Sequence, residues 1–420
     1  MKIRLAILIL LLSGACSESA YEAWVEPIEV KDVTSVKLSP NSPVLMADGK
    51  AELRFDVRAS VKVTDKRTIE IIENGYAVVK DSVFTTTTTL KPDRLPEEAV
   101  VIKTLDGKVV NGGVFRTDKN AGSQIGFICT INGVNSAPCY VRLIGRPAVN
   151  FTPVEVPVIF HLLTQEDKKN LFEGITQEYL QGLIAHANDV FAARIVHAPS
   201  DADTKVTFKL AESAPTGTLL KEKGINRVDV SKKSSYEISD YINKNLIWSP
   251  ERYLNIYIHP STYSNTAASP RYILDNGSSL PGLDGKMTKV QHASEAVFTD
   301  YTETGIVLRA DEIFNFAGGG ETRLEYYLGG YFGLAPTEIN YYSSEWPYVN
   351  GDVDYCSDTY TSYPSSFLNR SSYSEEEGAV SHTYDAFNIM DKYSKSTSLT
   401  YEQALRIRTV LENCPGRMFQ

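Results

Sequence analysis

Tyr326-Tyr327-Leu328-Gly329-Gly330-Tyr331-Phe332-Gly333-Leu334-Ala335-Pro336 is the stretch whose reading decides the fold. Tyr326 to Phe332 reads as a short apolar helix, and Gly333 as the turn that ends it. On its N-terminal side, Val156 to Leu163 is an apolar strand. Thr176 to Arg194 then carries Leu180, Leu183, Ile184, Ala187, Val190 and Phe191 at helical spacing. Val206 to Leu210, Tyr253 to Ile258 and Ile306 to Leu308 read as further strands. This alternation of strand and helix predicts an α/β domain over residues 151–420. On the C-terminal side, residues 338–377 read as a long polar loop. Thr400 to Leu411 reads as a final helix, with Thr400 and Gln403 spaced for a capping box.

Residues 33–150 have a different rhythm. Val57, Ala59, Val61 and Val63 alternate with polar residues, Thr86 to Thr89 is a β-branched run, and Asp48-Gly49, Asp106-Gly107 and Asn111-Gly112 mark turns. An immunoglobulin-like β-sandwich is expected there, a module ordinarily used as a spacer or adhesion platform. The chain is therefore read as α+β, a sandwich followed by an α/β domain.

Residues 1–15 have a basic start (Lys2, Arg4), an apolar run from Leu5 to Leu12 and small residues before Cys16, the pattern of a secretory signal ending in a lipobox. The apolar run is too short to remain as a spanning helix. Cleavage would leave Cys16 as a lipidated, palmitate-bearing N-terminus, with residues 16–32 a polar tether and the membrane a partner through the lipid anchor. Ser17 after the cysteine points to the outer membrane, as lipoprotein sorting implies.

The formal net charge of -10 speaks against nucleic acid or anionic lipid as a partner, since both demand clustered Lys and Arg. Of the five cysteines, Cys16 is set aside as the lipid carrier. The other four can pair in three ways. Cys129 and Cys139 flank the hairpin signal Asn132-Gly133, which favours Cys129 with Cys139 and leaves Cys356 with Cys414.

Several segments, in order, resemble the pappalysin type of metzincin zinc peptidases. The closer resemblance is to the zinc-dependent metalloproteinase lipoproteins, which join a lipobox and a β-sandwich to such a domain. Val156-Pro157-Val158-Ile159-Phe160-His161 resembles the opening strand and Asn188-Asp189-Val190-Phe191 the end of the first helix. Gly224 to Val228 and Tyr253 to Ile258 resemble two later blocks. The family's active-site helix reads H-E-x-x-H-x-x-G-x-x-H. Gly329, Phe332, Gly333 and Leu334 match its framework, while Tyr326, Gly330 and Pro336 stand where three zinc-binding histidines would be and Tyr327 where the general-base glutamate would be. Downstream, Asp354 to Thr359 resembles the family's cysteine and Asp-Thr segment. Asn388-Ile389-Met390-Asp391 resembles the Met-turn, and Gln403 and Arg406 fit the last helix.

The resemblance implies zinc as cofactor, but the ligands are missing. A catalytic zinc needs three protein donors and an open position for water. Glycine and proline have no donor side chain, and one tyrosine near pKa 10 cannot hold zinc at neutral pH. Without glutamate there is no base for the water's proton.

Among the six histidines, His161 and His259 lie in apolar strands, as satisfied core histidines do; His186 is on the first helix and His382 precedes the Met-turn. Asp352, Asp354 and Asp358 offer oxygen donors of the kind calcium takes, although short acidic loops are ordinarily just solvated. The expected protein is a non-catalytic peptidase homologue that binds a protein, peptide or glycan. Its Tyr- and Ser-rich segment from Tyr341 to Tyr373, with Trp346, has the composition of binding loops. The alternatives are an active metalloendopeptidase with a non-standard metal site, and a purely structural lipoprotein.

Overall fold

The computed structural model describes residues 24–25, 29–90, 95–119, 121–195, 197–260, 264–314, 323–337, 354–360, 362–364, 369–373, 380–385, 387–391 and 397–419. The expected signal sequence over residues 1–15 and Cys16 lie outside them. The protein is mixed α+β and rich in strands, with four α-helices among the described residues. It divides into two compact units, one of Met1–Lys37, Val57–Val101 and Cys129–Ala137, the other of Leu38–Asp56, Ile102–Ile128 and Pro138–Gln420. Among the described residues no helix is long and apolar enough to cross a membrane.

The first unit is dominated by a long ribbon. Strand β1 (Trp24–Val25), strand β2 (Leu53–Glu73) and strand β3 (Tyr76–Leu90) belong to one sheet. β2 and β3 pair from Glu73 opposite Tyr76 to Ala59 opposite Leu90. Asn74 (φ 52) and Gly75 (φ 84) join them in the left-handed conformations that a two-residue hairpin turn requires. Ala59 and Val61 near the base are fully buried. β1 runs antiparallel to β2, with Trp24 opposite Lys66 and Val25 opposite Asp65. Part of the segment expected to be a featureless tether is thus a strand.

The expected disulfides are absent: Cys129, Cys139, Cys356 and Cys414 are buried and none is joined in a disulfide. Asn132-Gly133 does turn the chain, but Ser136 occupies the place opposite Cys129. Its N–H donates to the Cys129 carbonyl at 2.8 Å, and its hydroxyl accepts from the Cys129 N–H at 3.0 Å. Cys139 pairs opposite Phe127 instead. A disulfide needs Cα atoms about 4.4–6.8 Å apart, which diagonal neighbours at about 7–8 Å exceed. Cys356 donates to the Asp354 carbonyl at 3.6 Å, while Cys414 ends the last helix inside the apolar core.

The second unit is built on a sheet of β4 (Val154–Thr164), β5 (Val206–Leu210), β6 (Ile225–Asp229), β7 (Leu254–His259), β8 (Thr266–Ala267) and β9 (Gly305–Arg309). Its order is β5-β4-β7-β9-β8, with β6 also alongside β4. All pairs are parallel except β8 against β9. A parallel sheet is covered on both faces, which is why β4 is almost continuously apolar. Val156, Val158, Phe160 and Leu162 face the larger core. Helix α1 (Gln177–Phe191) enters that core, and helix α3 (Leu324–Tyr331) and helix α4 (Tyr401–Asn413) complete it. Leu163, Tyr257 and Val307 point the other way, toward Ile238 and Ile242 of helix α2 (Ser235–Asn245).

Caps set the helix starts. Thr176 caps α1, and Thr400 with Gln403 forms the expected capping box of α4. The segment read as a loop over 338–377 departs from expectation in part. Ser362–Pro364 and Asn369–Tyr373 join Val380–Asp385 in a three-stranded antiparallel sheet. These strands are made mostly of Ser, Tyr and other polar residues rather than alternating apolar ones, so they carry no readable period. Residues 338–353, with Trp346 and Asp352, lie outside the described residues.

Candidate functional site

The stretch that decided the fold forms α3 and its exit. Leu334 N–H bonds the Gly329 carbonyl at 2.9 Å and Gly333 N–H the Gly330 carbonyl at 3.0 Å, the two closures of a Schellman end. Gly333 has φ +80°, and a Cβ there would lie 3.0 Å from Val410 of α4. Arg406 of α4 donates from Nε to the Gly333 carbonyl at 2.5 Å. One helix therefore fixes the turn that ends another.

Met390 lies under α3. A Cβ at Gly329 would be 2.6 Å from its Sδ, so any side chain there would make Met390 shift. The turn carrying Met390 is itself held on three sides. Asn388 Oδ1 accepts from Met390 N–H at 2.9 Å, the Asn388 and Gln403 side chains exchange two hydrogen bonds at 2.8 and 3.1 Å, and Thr337 donates through its hydroxyl to Asp391.

The positions where the resemblance would put zinc ligands offer no matching donor set. Gly330 has no side chain and faces β8, where a Cβ would meet that of Ala267 at 3.4 Å. Pro336 is exposed and Tyr326 packs against the core. Tyr327 belongs to the core, hydrogen-bonded to Asn265, and burial raises its hydroxyl pKa. Zinc does not fit this set. Among the described residues no three His, Cys, Asp or Glu side chains are grouped as metal ligands.

The remaining candidate residues are dispersed. His161 is fully buried. Its Nε2 meets Asn255 Oδ1 at 3.1 Å, its Nδ1 meets Asn226 Nδ2 at 2.9 Å, and its ring stacks on Tyr257 at 5.0 Å. His382 sits in the strand Val380–Asp385, opposite Ser372. Asp354 accepts from the Thr359 hydroxyl and Cys356 N–H, and Asp358 from the Thr400 hydroxyl and Glu402 N–H. Both are buried, Asp354 bonded within its own turn and Asp358 to the start of α4. Burial raises Asp358 to about 6. It lines a small recess beside the Met390 turn, together with Thr337, Tyr360, Tyr384, Asn388 and Asp391.

Two clusters escaped the sequence reading. His186 of α1 meets the buried Glu325 of α3 through Nδ1, and Arg323 Nη1 donates to its Nε2 at 3.0 Å. That places the ring proton on Nδ1 and ties α1 to the start of α3. Arg417 is 1% exposed and donates to three carbonyls, Tyr331 at 3.2 Å, Gly416 at 2.9 Å and Ala268 at 3.2 Å, with its guanidinium 3.6 Å from the Tyr331 ring centre. No spacing rule links residues so far apart in sequence.

No family model and no curated protein matches the chain. Among solved structures the chain is similar to Tannerella forsythia mature mirolysin in complex with a cleaved peptide. That match has 16% identity, covers 64% of this chain and 96% of that one, and has a TM-score of 0.42. It is also similar to mirolysin in complex with compound 9, at 18% identity over 63% of this chain and 93% of that one, with a TM-score of 0.40. A likeness this distant assigns no activity to the chain.

Proposed function

We propose that the protein is an exported lipoprotein, anchored through Cys16 to the outer membrane, whose residues 151–420 keep a pappalysin-type metzincin framework without its chemistry. It works by binding a protein, peptide or glycan, and residues 33–150 serve as an immunoglobulin-like spacer. The observation that carries this reading is the contact between Gly329 and Met390. A close fit between a helix and the turn beneath it supports the framework, while Gly330, Pro336, Tyr326 and the buried Tyr327 stand where the resemblance would put the reacting groups.

The test is metal analysis and a peptidase assay on the purified chain. The reading expects no stoichiometric zinc and no cleavage above background. Near-equimolar zinc, with proteolysis abolished by a chelator, sinks it.

A further inference from the structure

The hairpin of β2 and β3 carries an apolar end that nothing in the proposed function uses. Around its turn Ile72 is 79% exposed, Tyr76 76% and Val79 66%. Ile72 pairs opposite Ala77, so Ile72, Ala77 and Val79 share one face of the ribbon, and Tyr76 stands on the other. The charges nearest the turn cancel, because Lys80 pairs with Glu73. A docking sheet or helix would cover one face and leave the other wet. A lipid interface surrounds both.

The direction of β1 says what lies at that end. β1 is antiparallel to β2 with Trp24 opposite Lys66 and Val25 opposite Asp65, so the N-terminal end of β1 is the end nearer Glu73. Cys16 is eight residues before Trp24, a reach of about 27 Å at roughly 3.4 Å per residue. From Lys66 to Asn74 is again eight residues and the same distance along the strand. A lipidated Cys16 can therefore lie level with the hairpin turn.

We propose that the hairpin tip, through Ile72, Tyr76 and Val79, seats in the interfacial layer of the bilayer that carries Cys16. This rests on the lipid-anchor reading and adds a second contact that converts a loose tether into an oriented one. Insertion stops at the interface, because the outer backbone edge of β3 would be left unpaired in hydrocarbon. Tyr76 suits that depth, its ring amphipathic like those enriched at membrane–water boundaries.

The test uses the acylated full chain bearing Ala77→Cys, labelled with an environment-sensitive dye. Cys129, Cys139, Cys356 and Cys414 are buried and stay unlabelled. The control carries Tyr236→Cys on α2, where the native side chain is 82% exposed. Vesicles of phosphatidylethanolamine and phosphatidylglycerol carry a spin-labelled lipid with its quencher near the headgroup. The proposal expects emission at position 77 to shift to the blue and fall about twofold or more, with position 236 unchanged. It also expects Ile72→Asn with Val79→Asn to abolish the quenching while the acyl chains keep the protein on the vesicles.

Acylated, vesicle-bound protein with no quenching at 77, or equal quenching at 77 and 236, overturns the inference and leaves the anchor standing. A Cys16 peptide without acyl mass, in protein that does not sediment with vesicles, overturns the anchor reading and the inference with it. A blue shift without vesicles that grows with protein concentration places the tip against a second copy and likewise overturns it.

Discussion

The sulfur of Met390 stands where a side chain on Gly329 would have to be: a Cβ built at Gly329 falls 2.6 Å from Sδ. Gly329→Val is therefore expected to destabilise the protein by about 1–3 kcal/mol through overpacking. Gly182 of α1 is the internal control. A Cβ there meets nothing within 4 Å, so Gly182→Ala should stabilise by about 0.5–1 kcal/mol through helix propensity alone. Urea unfolding of both variants tests the contrast, and a neutral Gly329→Val would remove the close-packing argument.

Arg417 holds the chain's end to α3 and to the end of β8 through three backbone carbonyls. Arg417→Ala strands those acceptors in a buried site and should cost on the order of 3 kcal/mol. Limited proteolysis should then trim the C-terminal segment faster than in the parent. Unchanged unfolding and cleavage would mean that water replaces the guanidinium without loss.

Acid should weaken the fold. Burial pushes His161 and His259 down to about 4, against 6.5 for the ordinary imidazole. Between those values the unfolded chain binds more protons, so stability is full above about pH 6.5 and falls as pH drops toward 4. Asp358 opposes this. Burial raises its carboxyl from 3.8 to about 6, so its contribution is full below about 3.8 and is lost as pH rises through 6. Two imidazoles outweigh one carboxyl, and the urea midpoint should be lower at pH 5 than at pH 7.5. Asp358→Asn should steepen the acid loss; a midpoint that rises on acidification contradicts the assignment.

Restoring the family's residues tests the register. Tyr326→His, Gly330→His and Pro336→His should together confer zinc binding measurable by calorimetry, since a Cβ at Gly330 would touch Ala267 at 3.4 Å without overlapping it. Adding Tyr327→Glu places a carboxylate in the core near Asn265 and Glu312, so it should lower stability whether or not hydrolysis returns. Zinc affinity no better than in the parent counts against the register.

The sequence by itself determined the elements whose cause is local. β4 and α1 were legible because a buried parallel strand is continuously apolar and a one-sided helix repeats at 3.6 residues. α4 announced its start through Thr400 and Gln403, and Gly333 marked its turn because a left-handed residue favours glycine. α2 was equally legible, through the Ser234 and Glu237 capping box, but went unread because its apolar face is only Ile238 and Ile242.

What only the tertiary structure decided depends on registers and on partners distant in sequence. One Ser136 slipped between strands keeps Cys129 from facing Cys139. Glu325 and His186 meet across 139 residues. β1 lies along the ribbon through two backbone pairs that no side-chain pattern records. Local sequence sets backbone preference over a few residues, whereas these contacts are fixed by how whole elements pack, and their energy exists only once the elements have come together.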